Sequence, residues 1–505
     1  MQVLVTGGTG VIGRGVIPEL LAAGHRVRLL SRKAEEHSNE WPEEVECVDG
    51  DVTIADSIEG SAGGCQAVIH VTGIVDEKPP EITFERVNVE GTRNILGEAE
   101  RAGAGRFLFV SSLGADRGRS PYHASKLQGE QLVKKFPGEW VIARPGHVFG
   151  PGDEMISMVL KMVRTSPVVP QVGFGRHRFQ PLWYRDFGKA LSACVSRPDV
   201  AGQVLELAGD DVVTVAELLQ TLSRLTDRPG LRLPLPPFLV RSALWIFERG
   251  KRLVSWKGQL PLNDSKLTML VEENMIAEGR TNALSETFRM RPTPLLEALK
   301  ELTQSIPENL PGSGVGSLER KRFWADISGA RVDAEGLMAL FKSQINDVMP
   351  IDCRAEPVAP SRVEDDATLS LGLPGRGHVQ VRVQVCEPTR VCLSTVEGHP
   401  LAGMVSFTSE QRGSLLRFTV ETISRPANTL DWLAINVAGR WLQDLTWQDV
   451  VGNTAKLSGG SIPEGVQQRA ETLKGDEAGA VEKSVGDLIA RRKRERLEME
   501  VAAKK

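Results

Sequence analysis

Tyrosine is almost absent from this chain. Its 505 residues contain only two, Tyr122 and Tyr184, so any phenol chemistry has two places to reside. Cysteine is sparse: Cys47, Cys65, Cys194, Cys353, Cys386 and Cys392 are scattered with no Cys-x-x-Cys pair. That spacing indicates neither a zinc site nor a disulfide framework, and it fits reduced thiols in a cytoplasm. An excess of one charge is missing too. Lys plus Arg number 61 against 65 Asp plus Glu, a formal net charge of −4, which gives no sign of a nucleic-acid partner. No stretch approaches about 18 uninterrupted apolar residues, so a membrane-crossing helix is not expected. The chain opens directly on a strand-like run, Gln2-Val3-Leu4-Val5, and a signal peptide is not expected either. Hydrophobic residues at 41% and charged ones at 25% are ordinary for a globular protein. The length exceeds one typical core, which implies two or more domains.

Glycine, by contrast, is placed with purpose. Thr6-Gly7-Gly8-Thr9-Gly10-Val11-Ile12-Gly13 follows the first strand and opens a helix-like pattern (Val11, Ile12, Val16, Ile17, Leu20, Leu21) that continues past Pro18. Gly7 permits a tight turn, Gly10 lets the backbone approach a phosphate, and Gly13 allows close helix–strand packing. The helix start offers free N–H groups and a positive dipole end to an anion. The plain alternative is a glycine-rich turn without a ligand. Val27-Arg28-Leu29-Leu30 reads as a second strand that ends in Ser31-Arg32-Lys33. An acidic residue there binds a ribose 2′-hydroxyl, whereas an arginine accommodates a 2′-phosphate. Ser31 and Arg32 therefore favour NADP over NAD, unless Arg32 and Lys33 are solvated loop charges. Asp49-Gly50-Asp51-Val52 ends a third expected strand, and Val68 to Gly73 a fourth.

A second motif, Tyr122-His123-Ala124-Ser125-Lys126, lies beyond the strand-like Phe107 to Val110 and its Ser111-Ser112. Tyr122 and Lys126 are spaced i, i+4 and share a helix face. A phenol titrates near 10, and lowering it by about 3 units requires roughly 4 kcal/mol of preferential phenolate stabilisation. The Lys126 ammonium is the expected source. Lys126 can also hydrogen-bond a nicotinamide ribose, and Ser112 can orient a substrate oxygen for proton transfer with Tyr122. Alone, such a pair is commonly an exposed helical pair. His70, inside an apolar strand pattern, reads as a packed residue.

These motifs together resemble the extended short-chain dehydrogenase/reductase superfamily, in its NAD-dependent epimerase/dehydratase-like branch. The matching pieces include Asp51-Val52, Asn88-Val89-Glu90-Gly91-Thr92, Val110-Ser111-Ser112, Tyr122 to Lys126 and Ala143 to Asp153. Gln180 to Phe187 looks like the strand and helix start that return to the active site. The resemblance covers roughly residues 1 to 300. The short Ser112-to-Tyr122 segment looks like the atypical branch related to the respiratory complex I accessory subunit. The resemblance implies a Rossmann doubly wound parallel sheet with a small substrate lobe. It implies catalytic roles for Ser112, Tyr122 and Lys126. It also implies a cofactor site at Gly7, Gly10, Val11, Ile12, Gly13, Arg32, Asp51, Val52, Tyr122, Lys126, Pro145 and Val148, with Gly146 and His147 in the same loop. The expected cofactor is NADP, with NAD as the alternative, and the expected reaction is NAD(P)-dependent oxidoreduction or epimerisation on a small molecule. Family members often dimerise through helices like the one bearing Tyr122.

Pro234 to Phe247 is strongly apolar and is followed by Arg249, Lys251, Arg252 and Lys257. It reads as a packed lobe helix, as a peripheral membrane-surface helix, or as the lining of a pocket for an apolar substrate. Ile306 to Ser317, rich in Pro, Gly and Ser, is the linker candidate. The expected organisation is 1–305 dehydrogenase with lobe, 306–319 linker, 320–457 an α+β antiparallel-sheet domain, and 458–505 a charged helical or disordered tail. In the third region Val379, Val381, Val383 and Val385 alternate with polar residues, as do Leu416, Phe418 and Val420, which suggests a sheet with one covered face. Leu430 to Leu445 reads as a covering helix. Gly398 to Gly403, Phe418-Thr419-Val420 and Ser424-Arg425-Pro426 resemble a helix-grip, START-like family, which implies an apolar ligand between sheet and helix. A solid core is the alternative.

Overall fold

The computed structural model describes residues 1–172, 175–236, 238–240, 242, 273–373, 377–434 and 440–505. The first sheet has seven strands: β1 (Gln2–Thr6), β2 (Arg26–Ser31), β3 (Val45–Asp49), β4 (Ala67–His70), β5 (Arg106–Val110), β6 (Glu139–Pro145) and β7 (Gln203–Leu207). Their order is β3-β2-β1-β4-β5-β6-β7, and all pairs are parallel. Helices α1 (Val11–Ala22), α2 (Gly91–Arg101), α3 (Pro121–Val133) and α5 (Tyr184–Ser196) provide crossovers, with α4 introduced below. Apolar layers lie on both faces. One includes Val3, Val5, Ile17, Leu20 and Leu191, and the other Leu4, Val68, Ile95, Phe107 and Phe109. This two-sided burial explains why β1 and β5 read as continuous apolar runs rather than alternating ones. The strand order reverses between β1 and β4, so the loops after those strands face one crevice.

Val204 to Leu207 lies in the edge strand of this sheet, with Val204 opposite Ile142. The lobe itself is built from α4 (Ile156–Thr165), α6 (Val215–Leu225), α7 (Leu295–Gln304) and short strand pairs. Its core joins Leu160, Val163, Leu218, Leu222, Leu299 and Leu302. Of the apolar Pro234–Phe247 run, Pro234 and Leu235 end a strand beside Val168–Val172. Residues 237, 241 and 243–247 lie outside the described residues.

The second sheet is antiparallel throughout: β8 (Leu318–Ile327), β9 (Thr368–Leu373), β10 (Gly377–Cys386), β11 (Arg390–Thr395), β12 (Leu401–Arg412), β13 (Leu415–Pro426) and β14 (Gln467–Leu473). Its order is β9-β10-β11-β12-β13-β8-β14. One face packs on α8 (Ala334–Ser343) and α9 (Arg440–Leu457), burying Phe323, Phe341, Phe407, Phe418 and Val450. The covering helix expected from Leu430 therefore falls in two pieces, Thr429–Ala434 and α9, with 435–439 outside the described residues.

The other face corrects the expectation of a single covered side. Gln380, Arg382 and Gln384 are 1%, 6% and 1% exposed. They abut the end of α7 and the chain after it. Gln380 donates to the Thr303 carbonyl (2.9 Å), and Arg382 to the Ile306 carbonyl and Glu308 (both 2.8 Å). The donors of this polar half are buried with acceptors supplied, while Gln380 Oε1 and Gln384 Oε1 are buried without a partner among the described residues. Arg164 on α4 makes a buried two-point pair with Glu356 (2.7 and 2.8 Å), and Val396 completes the lobe core.

The last 30-residue helix, α10 (Gly475–Lys504), crosses back to the first domain. Val501 is buried in the same layer as Val3 and Ile17, with Leu497 packed on it. Of the expected charged helical or disordered tail, residues 475–504 form a helix that is docked: Val485, Ile489 and Val501 are buried, and Val501 joins the first-domain core.

Candidate active site

The glycine loop joins β1 to α1. Gly7 has φ +68°, and its N–H donates to the Leu30 carbonyl at 3.0 Å. A Cβ on Gly13 would lie 2.1 Å from the Gly8 carbonyl, so only glycine lets helix and loop touch there. A Cβ on Gly10 would meet only the Gly7 carbonyl, at 3.4 Å, which leaves its outward side open. The first intrahelical bond is Arg14 N–H to Gly10 O (3.0 Å). The amides of Val11, Ile12 and Gly13 thus precede it, with no acidic side chain in the first turn and no side-chain cap at Gly10. This uncapped, open helix start fits a pyrophosphate.

At the end of β2, Arg32 is exposed and makes no hydrogen bond or ion pair with the described residues, while Lys33 pairs with Glu36 at 2.8 Å. Asp51 uses Oδ1 to accept from Thr53 N–H (2.9 Å) and its hydroxyl (2.8 Å). Val52 is buried among Leu4, Leu30 and Ile58, and its carbonyl accepts from Asn94 (2.8 Å).

Ser112 follows β5, and Tyr122 and Lys126 lie on the first turns of α3, which Ser120 caps by accepting from His123 N–H at 3.2 Å. Pro121 stands at the first helical position, where its missing N–H is harmless. All three site side chains are buried, at 7%, 8% and 4% exposure. Tyr122 lies beside Ser112, whose hydroxyl donates to the Leu113 carbonyl (3.2 Å). Lys126 Nζ donates to the Val110 carbonyl (3.0 Å) and lies under the loop after β4, where a Cβ on Gly73 would stand 2.7 Å from it. Pro145 O accepts from Leu113 N–H (2.9 Å), which ties the end of β6 to the Ser112 loop, while Val148 pairs with Leu182. His147 is buried at Nε2 with no hydrogen-bond partner there, edge-on to Phe179 at 6.2 Å.

The expected direction of the Tyr122 shift is reversed. Burial raises the phenol above its ordinary value, and the Ser112 hydroxyl opposes this only in part. Lys126 is itself lowered to about 8, again by burial, despite the attraction of Glu130. Desolvation outweighs Ser112 at Tyr122 and Glu130 at Lys126, so Tyr122 is a neutral phenol at physiological pH. His70 is packed as expected, hydrogen-bonded to Thr6 (2.7 Å) and Thr92 (3.2 Å) and pushed down to about 3 by burial.

Three site residues escaped the sequence reading. Asn88 sits in an i→i+5 helical stretch, Glu85–Glu90, a distortion frequent at functional sites. It donates to Ser125 (3.0 Å) and the Ile74 carbonyl (3.1 Å) and accepts from Ile74 N–H (2.8 Å), thereby pinning the loop over Lys126. Glu130 and Arg144 form a buried two-point pair (2.8 and 2.7 Å). Glu130 also accepts from Ser111 (2.6 Å), and Arg144 reaches Asp116 (2.7 Å) in the loop after Ser112. Their signals lie in the sequence: Glu130 is four residues beyond Lys126, on the same helix face, and Asn88 opens the Asn88-Val89-Glu90-Gly91-Thr92 stretch.

A parallel sheet with a glycine-rich phosphate loop at its switch point, beside a buried Ser–Tyr–Lys set, defines a nicotinamide-dinucleotide enzyme of the short-chain dehydrogenase type. Comparison with known proteins agrees. Residues 3–208 match the NAD dependent epimerase/dehydratase family. The chain is 33% identical over 245 residues to a ceramide reductase of Caulobacter vibrioides, covering 48% of this chain and 76% of that protein. It is 27% identical over 227 residues to the mitochondrial NADH-ubiquinone oxidoreductase 40 kDa subunit of Neurospora crassa, covering 44% and 59%. With UDP-glucose 4-epimerase of Vibrio cholerae the identity is 25% over 262 residues, covering 46% and 79%. The chain belongs to the NAD dependent epimerase/dehydratase family and is an NAD(P)-dependent oxidoreductase or epimerase.

Proposed function

We propose that this protein is an NADP(H)-linked reductase of a carbonyl on a lipid-like small molecule. The single observation carrying this reading is the burial of Ser112 and Tyr122 side by side, with Lys126 one helical turn away. Gly7, Gly10 and Gly13, with the first amides of α1, would hold the pyrophosphate of the dinucleotide, and Arg32 its 2′-phosphate. A bound nicotinamide supplies the hydride for the substrate carbon. Ser112 orients the substrate oxygen, and Tyr122, a neutral phenol, donates the proton to it. Lys126 replenishes the positive field beside the forming phenolate and offers its remaining donors to the ribose hydroxyls. Burial of all three groups excludes water and strengthens each electrostatic contact. The raised Tyr122 keeps its phenol protonated near neutral pH, the form that donates a proton to a carbonyl oxygen.

The relatedness to a ceramide reductase supports the lipid-like substrate. The second domain fits a helix-grip, START-like reading, with α9 laid across an antiparallel sheet. Its sheet–helix interior is filled by Phe323, Phe341, Phe407 and Phe418, each at most 1% exposed. A second reading, a nucleotide-binding scaffold without turnover, takes its support from the relative within NADH-ubiquinone oxidoreductase.

The test is NADPH oxidation against a panel of long-chain ketones, 3-keto-sphingoid bases, short aldehydes and UDP-sugars. Turnover with the long-chain ketones is expected. Turnover with UDP-sugars alone overturns the substrate class, and tight NADPH binding without turnover on any compound favours the scaffold.

A further inference from the structure

We infer that the adenosine end of the cofactor site is composite, and that α10 is part of it through Lys493. This rests on the reading of the glycine loop as an NADP(H) site. Lys493 Nζ lies 3.0 Å from Glu40, in the short helical turn (Glu35–Glu40) that follows Arg32 and Lys33. Glu40, with 15% of its side chain exposed, also faces His37 (3.4 Å) and Arg14 (3.8 Å). Arg14 in turn donates Nε to the carbonyl of Thr9, inside the glycine loop, at 3.2 Å. A continuous polar path therefore runs from the last helix, through Glu40 and Arg14, to the loop that cradles pyrophosphate.

The helix is held in place on both sides of that contact. Toward the chain end, Lys504 pairs with Glu19 on α1 (2.7 Å), and Val501 sits in the first-domain core. Toward the second domain, Arg492 pairs with Asp365 (2.6 Å), and Arg496 with Asp366 (2.6 Å) and Glu308 (2.9 Å). Asp487 accepts from Asn39 (3.3 Å), in the same turn as Glu40.

Lys493 has two effects on a bound dinucleotide. It holds the turn beside Arg32, and it offsets the Glu40 carboxylate near the place where a 2′-phosphate must sit. Without Lys493, Glu40 keeps Arg14 and His37 as neighbours, draws harder on Arg14 and pulls it from Thr9, and the turn loses one positive charge beside an anion. A 2′-phosphorylated dinucleotide carries more negative charge than its unphosphorylated counterpart, so Lys493 acts as a positioning and specificity residue.

The test is fluorescence titration of the full-length chain with NADPH and NADH. Lys493→Gln is expected to weaken NADPH by about tenfold and NADH by about two- to threefold, as a partly buried charge contact predicts. Lys493→Arg, and the double variant Glu40→Gln/Lys493→Gln, are expected to restore the NADPH-to-NADH ratio. Hydrogen exchange provides a second readout: added NADPH should slow exchange in 35–40 and in 484–505 together. An unchanged ratio in Lys493→Gln, or protection of the glycine loop with none in 484–505, overturns the inference. Failure of the unaltered chain to bind either dinucleotide overturns the proposed function instead, and the inference with it.

Discussion

The two sheets of this protein solve burial in opposite ways. The parallel sheet is apolar on both faces, as in β5, where Arg106–Val110 is buried at every position. The antiparallel sheet alternates, with Val379, Val381 and Val383 inside one core and Gln380, Arg382 and Gln384 on the other side. The second side is just as buried, yet polar. It meets backbone carbonyls at the end of α7 and the Glu308 carboxylate rather than side-chain hydrocarbon. A polar alternate face is therefore a statement about hydrogen-bonding partners, and water is only one of them.

Four experiments put the contrast between the two domains at risk. The largest effect belongs to the first domain's chemistry. Tyr122→Phe is expected to lower turnover by about 10²- to 10⁴-fold while leaving the NADPH dissociation constant within about twofold. Steady-state kinetics and titration check both, and a variant with full activity removes Tyr122 from the proton-donor role.

The next effect compares the two faces of β10's sheet. Phe418→Ala on the apolar side should cost about 3–5 kcal/mol. Arg382→Ala on the polar side should cost about 3–5 kcal/mol, because it strands part of the buried Glu308 charge. Denaturant unfolding measures both, and a change within about 0.5 kcal/mol for Arg382→Ala would mark that face as solvent-like after all.

Acid should separate the two regions further. His70 is held down near 3 in the folded protein, so the unfolded chain binds more protons below its ordinary value. Its contribution is complete above about pH 6.5 and is lost as the pH falls toward 3. Glu308 is lowered beneath the usual carboxylate range, against its burial, by Arg382, Arg496 and Lys493. Its contribution is present above about pH 4.5 and fades below that. Stability measured between pH 7 and 3 should thus decline in two windows, with Glu308→Gln flattening only the lower one. An NMR titration placing His70 near 6.5 would contradict the first window.

The smallest structural effect is Arg32→Ala. Its exposure predicts a stability change within about 0.5 kcal/mol, together with weaker NADPH binding and unaltered NADH binding in parallel titrations. Equal loss for both cofactors would make Arg32 a general surface cation.

Much of the site was legible because its residues are local in sequence. The glycine loop needs only a strand before it and a helix after it, and Tyr122 and Lys126 need only one helical turn. Asn88, Glu130 and Arg144 were harder, because their importance lies in contacts between segments that no periodicity records. Glu130 looks like any helical carboxylate until Ser111 and Arg144 are brought to it from β5 and β6. The Tyr122 shift was misjudged for a related reason. Spacing reports that an ammonium is near, but the burial that overrides it is a property of the packed interior.

Local sequence was enough to specify the doubly wound sheet, the glycine loop, the Ser–Tyr–Lys set and the alternating second sheet. Each of these is written in backbone conformational preference and apolar period, which act over a few residues. Packing made the polar face a seam, docked the charged last helix, and set Lys493 against Glu40. Those outcomes depend on which charge meets which partner across hundreds of residues, and a charge is neutral in meaning until its partner and its burial are known.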